Sequence, residues 1–335
     1  MGYLLHSRRV GPSTEVTAAA RLRHLLETVV WGHPAEGILL SAGLDTSAIA
    51  TLAHARGLRP LAVTVCWDEG APDYGFATEL AHRLGLEHRV VWAGEQALLE
   101  AMPAVIAVLR SFDPMELRNS AVQYLGLRSL GERRVRSAWV GDGADELFAG
   151  YSYMSAMEPD ALSVYTRELV SFMRFSATPL GDSLGVEVIS PYLDGDMLDF
   201  AVRLSPLEKV GERDGERHGK WVLRLAMQDL LPPRFVWRTK TPAEYGSGST
   251  RLSTAVLDRL GEPEFQDLQA EALMNDDVRL RDREQAFYYR LYREQFGPPR
   301  AEPGQPRCPA CQAPLASPRS RYCGRCGNYP VAPAT

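Results

Sequence analysis

Apolar positions in the first half of the chain alternate between helical spacing and short continuous runs. Residues 18–30 place apolar side chains three and four positions apart, which predicts a helix. Similar spacing predicts helices at 47–55 and 76–84, and apolar runs predict strands at 37–40, 60–67, 88–92 and 137–140. Beyond residue 151 the pattern becomes mainly helical as far as Phe296. Strands that alternate with helices predict an α/β fold with a parallel sheet and right-handed crossovers.

Composition narrows the class of protein without naming a function. The chain has 335 residues, of which 45% are hydrophobic and 24% are charged, values that are ordinary for a globular protein. It has no apolar run of about 18 residues, so we expect no membrane span. Arginines follow the short apolar group at the start, which is not the order of a signal peptide, and we expect a cytoplasmic protein. The net charge of −5 argues against a broadly basic nucleic-acid coat but leaves room for a local basic patch.

The end of the chain differs in composition from everything before it. Residues 297–335 hold nine of the 23 prolines and five arginines against one acid, so this part is +4 and the rest of the chain is −9. Such a break marks a domain boundary, and the proline-rich stretch is typical of a semi-rigid linker. We therefore predict a large domain at 1–296, a linker at 297–307, a small module at 308–327 and a tail at 328–335.

A loop of small and hydroxyl residues follows the first predicted strand. Its sequence, Ser41-Ala-Gly-Leu-Asp-Thr-Ser47, leads into the next predicted helix. Hydroxyl groups, a glycine and the free N–H groups of a helix N-terminus together suit a phosphate group. Asp45 would repel phosphate unless it held a divalent cation that also contacts the phosphates. The alternative is an ordinary strand-to-helix turn capped by Asp45 or Ser47. The Walker pattern with its lysine is absent.

A second loop, Gly141-Asp-Gly-Ala-Asp-Glu-Leu-Phe-Ala-Gly-Tyr151, follows the last predicted strand and is acidic. Its three acids lie within five positions and repel one another unless a cation or a proton neutralises them. Because ligands bind at the carboxyl ends of parallel strands, we expect Asp45 and Asp145 to share one Mg²⁺. The dipole of a helix N-terminus would explain one acid, but not two acidic loops on the same sheet edge.

Both loops resemble loops of the asparagine synthetase family. SAGLDTS is similar to the pyrophosphate-binding S-G-G-L-D-S-S of that family, and GDGADELFAGY matches its second loop almost residue for residue. Further matches follow in the family's order: Pro191-Tyr-Leu-Asp194, Phe200-Ala201, Lys220-Trp-Val-Leu-Arg224, Leu231-Pro232, Arg238-Thr-Lys240 and Gly246-Ser-Gly248. The resemblance covers roughly residues 14–248. It implies a Rossmann-like fold of the adenine nucleotide alpha hydrolase type, with the PP-loop of the ATP pyrophosphatases.

The resemblance implies a reaction and a role for each matched residue. The family binds ATP and Mg²⁺, adenylates a carboxylate with release of pyrophosphate, and lets an amine displace AMP to form an amide. By resemblance, Lys240 neutralises charge between the α- and β-phosphates, Asp142 guides or deprotonates the amine, and Asp45 and Asp145 bind Mg²⁺. The residues implied to hold ATP or pyrophosphate are Leu40, Ser41, Gly43, Leu44, Asp45, Thr46, Ser47, Val65 and Gly141, of which Leu40, Val65 and Gly141 would hold AMP through main-chain contacts. A solvated surface lysine is the alternative for Lys240.

Two departures from the family leave the substrates open. Glutamine-using members begin with a catalytic cysteine at position 2 on a separate amidase domain, whereas this sequence has Gly2 and about 36 residues before its first predicted strand. We therefore expect the nitrogen to come from free ammonia, another amine or a partner glutaminase. The family usually has an arginine two residues before P-F-L-D, where this chain has Ile189, so aspartate is not fixed as the carboxylate. The Pro191–Asp194 stretch fits a simple turn as well as a substrate contact.

Four of the five cysteines lie in the last 28 residues. The pairs Cys308–Cys311 and Cys323–Cys326 are both C-x₂-C, a spacing that places four thiolates around Zn²⁺ in a zinc ribbon. Ser317–Ser320 is expected to form the turn of the ribbon. Two disulfides are the alternative, but no secretory signal supports them. The arginines around the cysteines would contact RNA or an acidic protein, or only solvate the ribbon. Cys66 is expected to be a buried apolar residue.

Taken together, these features favour an AMP-forming carbon–nitrogen ligase of the asparagine synthetase type. A close variant performs the same chemistry on a macromolecule, a tRNA or a peptide, that the zinc ribbon recognises. A non-catalytic nucleotide-binding adaptor is the other alternative, and the intact Asp45, Asp142, Asp145 and Lys240 argue against it. The expected cofactors are ATP, Mg²⁺ and Zn²⁺. The expected partners are a small carboxylate and an amine or ammonia, with no membrane.

Overall fold

A five-stranded sheet forms the centre of the molecule. The computed structural model describes residues 12–331, with side chains from residue 17 onward. The strands are β1 (Gly37–Leu39), β2 (Leu61–Cys66), β3 (His88–Trp92), β4 (Ser137–Trp139) and β5 (Glu187–Ile189). Their order in the sheet is β3-β2-β1-β4-β5, and every pairing is parallel. The predicted α/β fold with a parallel sheet is therefore confirmed.

Helices connect the strands and make up most of the chain after residue 151. They are α1 (Pro12–Gly32), α2 (Leu44–Ala55), α3 (Pro72–Arg83), α4 (Glu95–Leu109), α5 (Pro114–Glu132), α6 (Ala144–Leu147), α7 (Ser152–Ser155), α8 (Pro159–Phe172), α9 (Ala177–Leu184), α10 (Gly195–Arg203), α11 (Pro206–Lys209), α12 (Trp221–Met227), α13 (Pro233–Val236), α14 (Ala243–Gly246), α15 (Arg251–Arg259), α16 (Glu262–Asp276) and α17 (Arg283–Phe296). A short 3₁₀ helix spans Pro191–Leu193, and an antiparallel hairpin pairs β6 (Gly211–Arg213) with β7 (Glu216–His218). No helix within the described residues is long and apolar enough to cross a bilayer.

Successive residues of the strands face two separate hydrophobic cores. Ile38 and Trp139 belong to the core on one side of the sheet, and Val63 and Ala138 belong to the core on the other. A parallel sheet covered on both faces needs apolar side chains in both directions, which explains the continuous apolar runs in the sequence. Where α5 crosses β1 the approach is close, because a Cβ on Gly37 would lie 2.7 Å from a methyl group of Leu130.

The strand order places a crevice at the centre of one sheet edge. From β1 the chain moves outward through β2 and β3, and then returns to β4 on the other side of β1. β1 and β4 are neighbours in the sheet, so the loops that leave their carboxyl ends start side by side. Such a reversal of strand order is where ligands bind in open parallel sheets. Both loops singled out in the sequence leave from this point.

Residues 297–331 pack against the large domain. All four cysteines of this segment belong to the same hydrophobic core as Phe112 of the α4–α5 loop. The main-chain N–H of Phe112 donates a hydrogen bond to the carbonyl of Arg325 (2.7 Å), and the Gln285 amide donates one to the carbonyl of Cys326 (2.7 Å). The Ser320 N–H bonds to the Ser317 carbonyl (3.1 Å), so the expected turn is present. The proline-rich stretch thus leads into a module that is docked on α5 and α17.

Candidate active site and cysteine cluster

The loops after β1 and β4 lie directly against each other. A Cβ built on Gly141 would lie 3.1 Å from both Asp45 Cβ and Thr46 Cγ2, so a side chain at that position would push the loops apart. Helix α2 begins at Leu44, three residues earlier than the apolar pattern predicts. Asp45, Thr46 and Ser47 therefore lie in its first turn, where the helix N-terminus leaves N–H groups without intrahelical partners.

Two lysines bring the two predicted magnesium ligands together. The Lys220 ammonium lies 2.5 Å from Asp45 Oδ2 and 2.7 Å from Asp145 Oδ1. The Lys240 ammonium lies 2.5 Å from Asp145 Oδ2. The Lys220 side chain is only 4% exposed, whereas Lys240 is 29% exposed and is the more accessible of the two. Two carboxylates and two ammonium groups thus form one buried cluster whose formal charges cancel.

This cluster sets the protonation of its members. Burial raises the pKa of Asp45 above its ordinary value. Burial would also raise the pKa of Asp145, but the ammonium groups of Lys220 and Lys240 outweigh it and lower that pKa to about 2. Burial disfavours the charged form of Lys240, yet the carboxylates of Asp145 and Asp45 raise its pKa. Asp145 and Lys240 therefore carry their charges at neutral pH.

Glycines and main-chain bonds fix Lys220 in the cluster. Lys220 precedes α12 with a φ of 55°, and its N–H donates to the carbonyl of Phe148 (2.8 Å). A Cβ on Gly150 would lie 2.0 Å from Asp145 Oδ1 and 2.3 Å from Lys220 Cε. A Cβ on Gly219 would lie 1.9 Å from the carbonyl oxygen of Ala149. The glycine near the end of the second loop is thus what lets Lys220 reach both acids.

Arg238 and Tyr192 hold the main chain of the first loop. The Arg238 guanidinium donates to the carbonyls of Ser41 (3.2 Å) and Ala42 (3.1 Å) and forms an ion pair with Asp73 (2.7 Å). The Tyr192 hydroxyl donates to the main-chain carbonyl of Asp45 (3.0 Å). These hydrogen bonds fix the path of the main chain through the first loop.

Asp142 lies beside the cluster in an acidic and buried position. Burial, followed by the negative charges of Glu146 and Asp145, raises the pKa of Asp142 to about 7. The Gln123 amide donates a hydrogen bond to Asp142 Oδ1 (3.4 Å), and the Tyr151 hydroxyl donates one to Glu146 Oε1 (2.6 Å). A carboxyl group with a pKa near neutrality exchanges protons readily, as a general base must.

Several buried oxygen atoms of the site lack a partner within the described structure. Asp45 Oδ1, Ser47 Oγ and Asp142 Oδ2 are buried and receive no hydrogen bond. Buried polar atoms in native proteins almost always bond to protein, water or a ligand, so these three atoms are available to a bound group. Nearby, Ser41 Oγ lies 3.3 Å from the Gly43 nitrogen and 3.3 Å from Thr46 Oγ1. A carboxylate oxygen beside free hydroxyls and helix N–H groups fits a divalent cation bound together with phosphate.

The four C-terminal cysteines form a second polar cluster. Their Sγ atoms all lie within 4.8 Å of one another, and all four residues are buried. The Sγ atoms of Cys308 and Cys326 are 3.8 Å apart, and those of Cys311 and Cys323 are 3.7 Å apart. A disulfide requires about 2.05 Å. Four thiolates about 2.3 Å from one zinc ion would stand about 3.8 Å apart in a tetrahedron. The geometry therefore fits a zinc ribbon.

The match with known sequences agrees with this geometry. A sequence model of the asparagine synthase family matches residues 22–165 and 180–296. The chain belongs to the asparagine synthase family. It is 28% identical over 320 residues to asparagine synthetase B (glutamine-hydrolyzing) of Escherichia coli, a match that covers 87% of this chain and 57% of that protein. It is 28% identical over 286 residues to an asparagine synthetase (glutamine-hydrolyzing) of Oryza sativa subsp. japonica, with 79% and 48% covered.

The extent of these matches limits what the relatives' names say about this chain. The chain spans about half the length of the curated relatives it matches. A solved structure of an NH₃-dependent NAD synthetase from Campylobacter jejuni aligns with 78% of this chain and 94% of its own, at 15% identity and a TM-score of 0.34. That TM-score is too low to support an argument about mechanism. The fold rests on the sheet order described above.

The main-chain groups expected to bind AMP differ in whether they already have hydrogen-bond partners. The Leu40 N–H donates to the Val63 carbonyl (2.8 Å), and the Leu40 carbonyl accepts from the Thr64 hydroxyl (2.6 Å). Val65 lies near the carboxyl end of β2, beside the same edge, and Leu44 is buried in the core at the start of α2. The AMP roles of Leu40 and Val65 remain predictions, with Leu40 already hydrogen-bonded in both directions.

Four further residues were singled out in the sequence: Asp194, Ile189, Gly2 and Cys66. Asp194 caps α10 by accepting a hydrogen bond from the Asp196 N–H (3.0 Å), which is the turn function considered for it. Ile189 ends β5, its carbonyl accepts from the Val140 N–H (3.0 Å), and its side chain is partly buried against the hydrophobic core. Gly2 lies outside the described residues. Cys66 is buried, and burial raises the pKa of its thiol to about 12, as expected of a structural cysteine.

Sequence reasoning assigned no role to four residues that complete the site. They are Gln123, Tyr192, Lys220 and Arg238. Tyr192, Lys220 and Arg238 stand in motifs that resemble the family's, which was the available signal. Gln123 stands in none, because its position on α5 becomes meaningful only when that helix packs beside the second loop.

Proposed function

We propose that this chain is an ATP-dependent amide ligase that forms AMP and pyrophosphate. The proposal rests on one observation, the convergence of Asp45, Asp145, Lys220 and Lys240 where the strand order reverses, beside buried oxygens without partners. Membership of the asparagine synthase family supports the class of reaction. A cluster that only stabilised the fold would not need unpartnered atoms facing the crevice.

In the first step a substrate carboxylate oxygen attacks the α-phosphorus of ATP, and the bond from that phosphorus to the bridging oxygen breaks. Lys240, the more exposed ammonium, offsets the charge that develops on the departing pyrophosphate. Ser41, Thr46 and Ser47 donate hydrogen bonds to the phosphate oxygens, as do the N–H groups at the start of α2. Positioned donors and cations of this kind account for most of the rate gain in phosphoryl chemistry.

In the second step an amine attacks the acyl carbon and AMP leaves. Asp142 accepts the proton that the amine nitrogen loses, so the product is a neutral amide. Its pKa of about 7 leaves a useful fraction of the carboxylate ionised at neutral pH. Gln123 holds Asp142 Oδ1 and leaves Oδ2 free to receive the proton.

Asp45 and Asp145 would hold Mg²⁺, which when bound draws charge from the phosphates. Lys220 contacts the same two carboxylates, so we infer that cation binding and the Lys220 ion pairs compete. When no metal is bound, the ion pairs of Lys220 with both carboxylates stabilise the cluster. The thiolates of Cys308, Cys311, Cys323 and Cys326 would hold Zn²⁺, with a structural role because four protein ligands leave no open position.

The identity of the carboxylate and of the nitrogen donor is the open part of this proposal. Ile189, at the carboxyl end of β5, is an apolar residue where the family usually has arginine. We propose that the carboxylate is therefore not free aspartate, whose second carboxylate such an arginine would bind. The nitrogen comes from ammonia, supplied free or by a glutaminase, or from a larger amine.

The decisive experiment is isotope exchange between pyrophosphate and ATP in the presence of Mg²⁺ and a panel of carboxylic acids. We expect at least one acid to stimulate exchange, and Asp45→Asn to abolish it. Asp199→Asn is the matched control, since that carboxylate is exposed on α10 and pairs with Arg203 at the surface. If no acid raises exchange above the level of Asp45→Asn, the ligase proposal is wrong.

A further inference from the structure

A row of tyrosine rings leads outward from the acidic loop. Tyr151 donates its hydroxyl to Glu146, the last acid of that loop, at 2.6 Å. The Tyr153 ring stacks on the Tyr151 ring, with centroids 5.6 Å apart and planes within 9° of parallel. Tyr153 also bonds the hydroxyl of Tyr165 (2.9 Å) and is 49% exposed. The outer member of the row therefore presents a large aromatic surface to solvent.

The cysteine module reaches the same surface. Tyr329 is 61% exposed and is close enough to Tyr153 for the two phenols to interact electrostatically. The Arg321 guanidinium lies over the Tyr329 ring, 5.8 Å from its centroid. On the neighbouring side, a Cβ on Gly324 would lie 3.6 Å from Nη1 of Arg174, which follows α8. Exposed rings and guanidinium groups from both parts of the chain thus share one surface beside the site.

The arginines of this module are not neutralised within the described structure. None of the five in residues 297–331 forms an ion pair with a carboxylate, and Arg325 donates instead to the carbonyls of Leu109 and Arg110. Many arginines of the large domain do pair, as Arg118 does with Glu244 and Glu284. The positive charge of the module is therefore available to an external anion, while the −9 remainder repels one.

We propose that this surface, made of Tyr153, Arg174, Arg321 and Tyr329, binds a single-stranded nucleic acid that carries one of the two groups to be joined. The proposal rests on the ligase function proposed above and names its substrate class. Bases stack on exposed aromatic rings, and phosphates bind arginine forks, without any need for a fixed sequence. A duplex keeps its bases stacked on one another and would leave the exposed rings without a partner.

The geometry favours a nucleic acid over an acidic peptide. An acidic peptide would use the arginines but would leave two exposed ring faces unused. The stacked pair Tyr151–Tyr153 connects this surface to Glu146, which lies in the same loop as Asp142 and Asp145. A strand bound on the outer rings can therefore present a terminal or flipped-out nucleoside to the site while its backbone stays on the arginines.

Binding is measured with the zinc-loaded full chain and a fluorescently labelled single-stranded RNA, by anisotropy at several salt concentrations. We expect Arg321→Glu and Tyr153→Ala each to weaken binding by about tenfold. Tyr153→Phe, which keeps the ring, and Arg59→Glu, an exposed arginine just before β2 at the opposite sheet edge, are the matched controls and should bind like the unaltered chain. Arg321→Glu should also make the dependence of log Kd on log salt less steep.

Three outcomes would overturn the inference. The RNA fails to bind, Arg59→Glu weakens binding as much as Arg321→Glu, or an acidic peptide binds through the same residues while the RNA does not. The zinc content of each variant shows whether the module has kept its fold. Pyrophosphate exchange with small carboxylic acids is run on the same samples, so that an unaltered chain that performs exchange but does not bind RNA rejects this inference alone.

Discussion

The molecule contains two buried polar clusters that differ in how their charges are balanced. At the sheet edge, Asp45 and Asp145 are matched by Lys220 and Lys240, so the chain itself supplies both signs of charge. In the C-terminal module four like groups, all thiols, face one another. The first cluster can therefore form before any ligand arrives, whereas the second needs an external ion to hold four thiolates together. Changes that remove one member of either cluster test this difference.

The largest effect is expected from removing one thiol. In Cys311→Ala three ligands remain, and structural zinc contributes about 10–16 kcal/mol of apparent binding energy to small domains of this kind. We expect zinc content to fall from one ion per chain to nearly none, and amide protons of residues 308–327 to lose protection from hydrogen exchange while those of the sheet keep it. Cys66→Ala should keep its zinc. Full zinc in Cys311→Ala would show that the cluster is not a four-ligand site.

Removing the buried lysine should affect stability next most strongly. Lys220→Met leaves two carboxylates that have lost their shared partner, a change that typically costs about 3–5 kcal/mol. Denaturant unfolding should show this loss, and added Mg²⁺ should restore more stability to the variant than to the unaltered chain. Equal Mg²⁺ stabilisation of both proteins would mean that Lys220 and the cation do not compete.

Removing the more exposed lysine should affect mainly the rate of pyrophosphate exchange and stability to a smaller extent. Lys240→Ala is expected to lower the rate of pyrophosphate exchange by about 10²–10³-fold, which is typical of losing one group that stabilises developing charge. Its unfolding free energy should fall less than that of Lys220→Met, because the Lys240 side chain is partly solvated. If the two variants lose the same amount of unfolding free energy, then the difference in burial between the two lysines does not determine their contribution to stability.

The pH dependence of amide formation follows from Asp142. Burial, with Glu146 and Asp145 nearby, raises its pKa to about 7, so the base is protonated below that pH. We expect the rate of amide formation to fall about tenfold per pH unit below 7. The raised pKa also means that the fold is less stable when Asp142 ionises. Unaltered chain should therefore lose stability relative to Asp142→Asn as the pH rises from about 4 to about 7. A flat difference across that range would contradict the burial argument.

The smallest expected effect concerns the contact between the module and the large domain. Asp113 is buried at the start of α5 and accepts a hydrogen bond from the Tyr322 hydroxyl (2.7 Å). Tyr322→Phe removes that donor and should cost about 1–3 kcal/mol, with zinc retained. Tyr245→Phe, at an exposed tyrosine, is the control and should be neutral. An unchanged unfolding free energy in Tyr322→Phe would show that another group satisfies Asp113.

The sequence predicted the sheet edge far better than the helices around it. The strands β1 to β4 are apolar runs, and β1 and β4 are followed by distinctive loops, so the strand positions and the edge shared by the two loops followed from periodicity and chain order. Strand β5 has only three residues, one of them Glu187, which is too short for a periodic signal. The long helices α4 and α5 were not predicted, although α5 supplies Gln123 to the site.

Within the site, the sequence predicted features that depend on local motifs better than contacts between residues that are distant along the chain. Asp45 and Asp145 follow strands and could be paired from the order of the chain alone. The partnership of Lys220 with both acids depends on a turn near Gly150 and Gly219 that no local pattern reveals. Similarly, the cysteine spacing predicted a four-thiol cluster, but the docking of that module on Phe112 and Gln285 depends on contacts more than 40 residues away in sequence.

The shared core of Phe112 with the cysteine module has a practical consequence for the design of shortened proteins. Cutting the chain after Phe296 would uncover Phe112, Tyr289 and Tyr292, whose rings pack together beneath the module. It would also strip the buried Asp113 of its tyrosine donor and leave the Phe112 N–H without its carbonyl. A protein shortened in this way would tend to aggregate through this exposed aromatic surface. Its loss of activity would therefore not show whether the module recognises a substrate. Point substitutions on the outer surface of the module separate its proposed binding role from its role in covering these rings.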